Sequence, residues 1–173
     1  MLLERLAPAD HALPGELLTE LTARYAANRD FTALSGDFPD PDDIRPEQVA
    51  TALADELAHP HAEVLLARSE GRLTGIAITL AHHPDPTDPD PWIGLLMIDA
   101  HVQRQGYGRQ LATLVENRLH TEGRTAVRLA VLDNNPHALA FWTTLDYEPL
   151  THRRDLQHAR PCTVLRKTLT ERG

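Results

Sequence analysis

Gln103-Arg104-Gln105-Gly106-Tyr107-Gly108-Arg109 joins two segments of opposite character. Before it, Trp92 to Asp99 is a mostly apolar run of buried-strand type. After it, Leu111, Leu114, Val115 and Leu119 recur at helical spacing up to Gly123. Glycines at such a junction let the backbone approach a ligand closely and turn its amides inward. The following helix adds the unpaired amides of its first turn and the positive end of its dipole, which together suit phosphate. Arg104 and Arg109 place cationic charge beside them. A Gly-x-Gly turn alone is also an ordinary strand-to-helix connection, so the surrounding pattern has to decide. The phosphate loop GxxxxGK[ST] is absent, and the only lysine is Lys167. The dinucleotide pattern GxGxxG is unmet, because position 111 is Leu.

Working outward, residues 2–7 read as a short strand ended by Pro8-Ala9-Asp10. Leu17, Leu18, Leu21 and Tyr25 predict a helix over roughly 14–27. A polar loop is expected from Asp30 to Asp43, and Pro46 suits the first turn of a second helix with Val49, Leu53 and Leu57 inward. Residues 63–68 and 72–80 read as a hairpin turning at Glu70-Gly71. Residues 81–91 are a rigid loop, since proline recurs every two or three residues. Thr125–Leu132 reads as a strand, Ala138, Phe141, Trp142 and Leu145 as a fourth helix, and strands fit near 147–156 and 162–169. The order β-α-α-β-β-β-α-β-α-β-β predicts an α/β (mixed α+β) fold, one domain over 1–173, without repeats or a linker.

The chain has 173 residues, 42% hydrophobic and 24% charged, enough for one domain with a real core and too few for two ordinary ones. No apolar run approaches the roughly 18 residues that span a bilayer, and the start lacks a signal peptide's apolar core. The single Cys162 excludes an internal disulfide and a multi-Cys metal site. A cytoplasmic location and no membrane partner are therefore expected. The net charge of −8 argues against nucleic acid as a partner. Residues 1–100 hold 18 acids and 6 Lys/Arg, whereas residues 101–173 hold 7 acids and 11 Lys/Arg. Such a split fits a second half that meets an anion and a first half that receives a cation, although solvated faces produce the same numbers.

The quoted stretch matches [QR]-x-x-G-x-[GA], and downstream Asn135-Pro136-His137-Ala138-Leu139-Ala140-Phe141-Trp142-Thr143-Thr144-Leu145-Asp146-Tyr147 is similar to N-x-x-A-x-x-[FL]-Y-x-x-x-G-F. Through these two elements and the element order the chain resembles the GNAT family of N-acetyltransferases, from the opening strand to about residue 169. The resemblance implies a mixed central sheet with a splayed strand pair flanked by helices, and acetyl-CoA as cosubstrate without a metal. It assigns the coenzyme's pyrophosphate to the amides from Arg104 through Gln105, Gly106, Tyr107 and Gly108 to Arg109, in the loop opened by Gln103. Leu96, Met97 and Ile98 line the edge for the pantetheine arm and thioester, with Asn135 contacting the arm and Phe141 and Trp142 packing near it. The implied activity is direct acetyl transfer to an amine, with a small cationic molecule as acceptor. The rival is a non-catalytic acyl-CoA-binding sensor or regulatory module of the same fold. Family members often form homodimers, but no residue here shows one.

The departures matter as much. Trp142 occupies a position where many members have a Tyr general acid, and an indole has no usable acidity near neutral pH. Ala130 stands where N-terminal acetylating members often carry a Glu base, and Asp146 replaces the usual glycine. The catalytic groups are therefore unknown from sequence, with Asp99, His101, His82, His83 and Asp133 as candidate bases. Asp30, Asp37, Asp40, Asp42 and Asp43, joined by Asp85, Asp88 and Asp90, form an expected cation-attracting rim. His59, His61, His82 and His83 lack metal-site spacing, and Cys162 lacks a base partner, so it reads as a packed strand cysteine.

Overall fold

The computed structural model describes residues 1–7 and 13–169. The expected strand terminator Pro8-Ala9-Asp10 lies outside the described residues. The fold is mixed α/β. Strands β1 (Leu2–Arg5), β2 (Ala62–Ser69), β3 (Arg72–Leu80), β4 (Trp92–Ile98), β5 (Ala126–Leu132), β6 (Glu148–Arg154) and β7 (Pro161–Thr168) alternate with helices α1 (Gly15–Ala27), α2 (Arg29–Ser35), α3 (Pro46–Ala58), α4 (Tyr107–Thr121) and α5 (Pro136–Thr143). By contacts the chain divides into residues 1–79 with 95–112, and residues 80–94 with 113–173. Strand β4 and helix α4 each run from one unit into the other.

In the first unit the strand order is β1-β2-β3-β4, with β1 antiparallel to β2 from Leu2 opposite Arg68 to Arg5 opposite Leu65. The β2–β3 turn has left-handed backbone at Glu70 (φ 52°) and Gly71 (φ 78°), the pairing that a tight hairpin with right-handed twist needs. Helix α3 starts with Pro46 in its first turn, and Gln48 Oε1 accepts the Arg45 N–H at 2.9 Å. The core gathers Leu21 and Tyr25 of α1, Val49 and Leu53 of α3, Val64, Leu66, Leu73, Ile76 and Ile78 of the hairpin, and Met97. Each fully buried aliphatic side chain here stabilises the unit by about 1.5–3 kcal/mol.

Gly75 explains how tightly β3 lies against β4. A Cβ on it would sit 2.9 Å from the Met97 carbonyl oxygen and from Ile98 Cδ1, and 3.1 Å from Leu111 Cδ2. The backbone oxygen has no rotamer by which to withdraw. Gly75→Ala is therefore expected to destabilise the chain by about 1–3 kcal/mol and to displace β4. A lowered denaturant midpoint checks the first effect, and weakened coenzyme A binding checks the second.

In the second unit the order is β4-β5-β7-β6, mixed because β4 and β5 are parallel while β5–β7 and β6–β7 are antiparallel. The β4–β5 register holds at one position, Trp92 opposite Arg128, beside the Arg128 N–H that donates to Pro91 O at 2.9 Å. By contrast β5 and β7 pair along their length, from Ala126 opposite Thr168 to Leu132 opposite Cys162. A buried polar knot braces this unit. Glu116 of α4 accepts the Tyr147 hydroxyl at 3.1 Å and Lys167 Nζ at 2.8 Å.

The segment expected to be a polar loop from Asp30 to Asp43 instead begins with helix α2. Its five aspartates hide two inward residues, Thr32 and Ser35, which are buried on one face. Gly36 ends it in left-handed conformation (φ 68°), donating its N–H to Thr32 O. Seven residues are too few for a helical period to show.

The β6–β7 loop hangs on Asp155, which accepts N–H groups from His158 at 2.6 Å and Arg160 at 3.2 Å and the Arg160 guanidinium at 2.8 Å. Burial pushes the carboxyl up, but these bonds and the Arg160 charge outweigh it and hold it down at about 2. A depressed folded value contributes stability that is complete above the ordinary value near 3.8 and lost as pH falls towards about 2. Asp155→Asn is expected to flatten the fall in stability between about pH 4 and pH 2, by on the order of 1 kcal/mol after solvent screening. An unchanged acid slope in thermal melts would refute it.

Candidate coenzyme site

Strand β4 is buried at both ends, whereas Gly94 is exposed and Leu95 and Leu96 are half-buried. Met97 and Ile98, expected on that edge with Leu96, are buried side chains, so any contact they make with a ligand goes through their backbone.

Beyond Ile98 the chain makes a short 3-10 turn, Ala100–Val102, and enters the quoted loop. Arg104 (φ 61°) and Gly106 (φ 84°) are left-handed, while Gln105 between them is not. Alternation of this kind turns successive amides to one side, the geometry of an anion-binding nest. Gly106 is the position that needs glycine for its conformation, although a Cβ there would meet nothing within 4 Å. Helix α4 begins at Tyr107 with no acidic residue in its first turn, so no carboxylate there opposes its first-turn amides and the positive end of its dipole. Arg104, Gln105 and Arg109 are exposed, and Tyr107 and Gly108 are half-buried.

The Gln103 side chain is turned inward. Its Nε2 donates to Asn28 Oδ1 at 2.7 Å and to Ile98 O at 3.2 Å. What Gln103 can offer a ligand is its backbone, and one lone pair of the Ile98 carbonyl is already engaged.

Asp99 closes β4 with a fully buried carboxylate. It receives Arg72 at 3.0 Å, Arg24 at 3.4 Å and His101 Nδ1 at 2.9 Å, and it caps the 3-10 turn through the His101 N–H at 3.2 Å. Burial alone would raise its pKa, but the His101 bonds and the Arg24 charge bring it below the ordinary carboxylate value. A carboxylate held this firmly in its ionised form is a weak proton acceptor, so Asp99 organises the strand end. The same bond leaves His101 Nε2 on an exposed ring.

In the second unit, Asn135 caps α5, its Oδ1 accepting the Ala138 N–H at 3.1 Å, so its Nδ2 is the group with protons to donate. Trp142 is buried edge-on between Phe141 and Tyr147, with ring centroids 5.0 and 4.9 Å away. Tyr147 offers no replacement acid. Burial, then the charge and hydrogen bond of Glu116, push its phenol far up. Asp146 takes the left-handed position (φ 67°) that glycine usually holds in the motif. Asp133 accepts His152 Nε2 at 2.8 Å, and His83 stacks on Trp92 at 4.7 Å, with its pKa lowered chiefly by burial.

Four of the eight rim acids are paired with arginines. Asp42 is paired with Arg29 and Asp43 with Arg45, two arginines that flank the acid-rich segment and fold back on it. Arg128 bridges Asp88 at 3.1 Å and Asp90 at 2.8 Å, Arg166 reaches Asp90 at 2.9 Å, and Trp92 Nε1 donates to Asp88 at 3.0 Å. These two acids are buried anchors of the Pro-rich loop and attract no ligand. Asp40 and Asp85 hold turns through the amides of Asp42 and Thr87. Asp30, Asp37 and Asp40 remain as exposed acids. Sequence reasoning missed the pairing of Asp88 and Asp90 because Arg128 and Arg166 come from strands far along the chain.

A concavity of about 380 Å³ in the second unit is lined by Asp146, Glu148, Pro149, Leu150, Arg166, Lys167 and Thr168, and none of the expected coenzyme residues borders it. Its two cations are engaged by Asp90 and Glu116. Burial pushes the Cys162 thiol up, so it is no ready nucleophile. Among the described residues no cluster of three His, Cys, Asp or Glu is placed to hold a metal ion, and no helix is long and apolar enough to cross a membrane.

Solved structures with this fold include an acetyltransferase from Thermus thermophilus, at 19% identity and TM-score 0.73, covering 98% of each chain. The ribosomal-protein-S18-alanine N-acetyltransferase from Escherichia coli matches at 17% identity and TM-score 0.62, covering 99% of this chain and 97% of its own. An aminoglycoside 6'-N-acetyltransferase complexed with coenzyme A matches at 14% identity and TM-score 0.63, over 100% and 99%. No curated protein sequence matches significantly. At these identities the likeness is one of fold. The family model for the acetyltransferase (GNAT) family matches residues 25–147, which include strand β4, the left-handed loop and the Asn135 helix. By that match the chain belongs to the acetyltransferase (GNAT) family.

Proposed function

We propose that the protein is a cytoplasmic acetyl-CoA-dependent N-acetyltransferase that acts directly on an amine of a small molecule. The observation that carries this reading is the Arg104–Arg109 turn, with its left-handed pair, its acid-free helix start and its two exposed arginines. These features fit a diphosphate. The amides from Arg104 to Arg109 hold it, and the backbone of Leu96, Met97 and Ile98 aligns the thioester arm. Asn135 is assigned to the arm on the strength of the motif alone. The exposed Asp30 and Asp37 favour a cationic acceptor, less strongly than the full rim would.

Acetyl transfer requires a neutral amine whose nitrogen lone pair attacks the thioester carbonyl. The C–S bond then breaks, the amine proton passes to water, and the thiolate takes a proton from water, since neither Trp142 nor the Glu116-bound Tyr147 supplies one. Alignment of two bound reactants lowers such a barrier by about 7–11 kcal/mol, which sustains turnover without a dedicated acid. The buried Trp142 and the engaged Tyr147 also favour a second reading, an acyl-CoA sensor of the same fold. The test is thiol release from acetyl-CoA against polyamines, amino acids, dipeptides and amino antibiotics, beside a coenzyme A titration. Turnover with an amine is the expected result. Binding without turnover on any of them selects the sensor, and no binding removes both.

A further inference from the structure

We propose that Asn28 is a positioning residue for the coenzyme loop, and that its bond with Gln103 couples this loop to the junction of α1 and α2. The inference rests on the coenzyme reading of the loop given above. Asn28 is only 6% exposed, and it ends α1 and begins α2. All of its polar groups are engaged. Its N–H donates to Tyr25 O at 3.1 Å, Nδ2 to Arg24 O at 2.9 Å, and its carbonyl accepts the Thr32 N–H at 3.0 Å. Its Oδ1 accepts Gln103 Nε2 at 2.7 Å, and the same Nε2 reaches Ile98 O at 3.2 Å.

Gln103 is the residue from which the left-handed loop departs. An exposed glutamine gives up rotamer freedom when its amide is turned inward, so the two bonds must outweigh that entropy. They tie the first residue of the loop to the end of β4 and to the helix junction at once. A loop with left-handed backbone at Arg104 keeps its shape only while its ends are held, and α4 holds the other end through the Gln110 N–H to Gly106 O at 3.0 Å. Displacing Gln103 therefore moves Asn28, and with it the first turn of α2 that hangs on the Asn28 carbonyl.

The experiment measures coenzyme A affinity and hydrogen exchange in wild type, Asn28→Ala, Asn28→Asp, Gln103→Ala and the double alanine variant. Asn28→Ala is expected to weaken binding about 3- to 10-fold, the range of one neutral hydrogen bond. Asn28→Asp keeps the acceptor for Gln103 but loses the Nδ2 bond to Arg24 O, so it should recover part of the loss in affinity. The double variant should bind no worse than Gln103→Ala. Coenzyme A should slow exchange over residues 98–110 in every variant that binds it, and over residues 25–36 only where the latch is intact. Wild-type affinity in Gln103→Ala, additive losses in the double variant, or a lowered melting temperature without altered affinity or exchange would each overturn the proposal. Should Asn28→Ala fail to fold, Gln103→Ala carries the same test from an exposed residue. A wild-type chain that does not bind coenzyme A would remove the functional reading and this inference together.

Discussion

Gly106→Glu is expected to weaken coenzyme A binding at least about 100-fold while leaving the fold intact. Two effects add. Gly106 sits at φ 84°, where a side chain costs roughly 1–2 kcal/mol of backbone strain. The carboxylate also enters the space in front of the α4 amides, with nothing within 4 Å of the Cβ to redirect it. Against a diphosphate about 5 Å away, one added negative charge costs on the order of 3 kcal/mol at an effective dielectric near 20. Gly106→Ala separates the contributions, since it keeps the strain and omits the charge, and it should lose about 10-fold or less. Titration of both variants with coenzyme A checks the pair. Equal affinities in wild type and Gly106→Glu would exclude this loop as the phosphate cradle.

The second large effect falls on stability. Asp99→Ala leaves the Arg24 guanidinium, which is 16% exposed, without its carboxylate and uncaps the 3-10 turn. Removing one partner of a buried ion pair costs about 3–5 kcal/mol, because the remaining charge cannot be resolvated in place. For a chain of this size that is a fall of about 6–20 °C in melting temperature. Asp99→Asn keeps an acceptor for the His101 N–H and should fall between wild type and alanine. Were Asp99 the proton acceptor in catalysis instead, Asp99→Asn would abolish turnover while melting near the wild-type temperature. Thermal melts of the two variants, with thiol release from acetyl-CoA as the functional readout, separate these outcomes.

The elements written in local patterns were legible in the sequence. The helix at 15–27, the helix behind Pro46, the hairpin at Glu70-Gly71 and the strand-loop-helix around Gln103–Arg109 each carry a period or a turn residue that acts within a few positions. Helix α2 was not legible, because its seven residues show no period until Thr32 and Ser35 find a face to bury. The site was legible in the same divided way. The amides of the loop follow from two glycines and a helix start. The destinations of Gln103, Asp99 and Glu116 do not, since their partners Asn28, Arg24 and Lys167 stand far away in the chain.

By itself the sequence determined where a glycine turn meets a helix start, because both are local consequences of glycine and of the residues that follow it. It also determined that two common catalytic side chains are missing, since Trp142 and Ala130 are identities and need no coordinates. Only the tertiary structure decided which charges remain to act. Asp88, Asp90 and Asp42 are equal acids on paper, and each is answered by an arginine that chain folding brings to it. Coulomb energy depends on distance in space and on exclusion of water, and neither is a property of neighbouring letters.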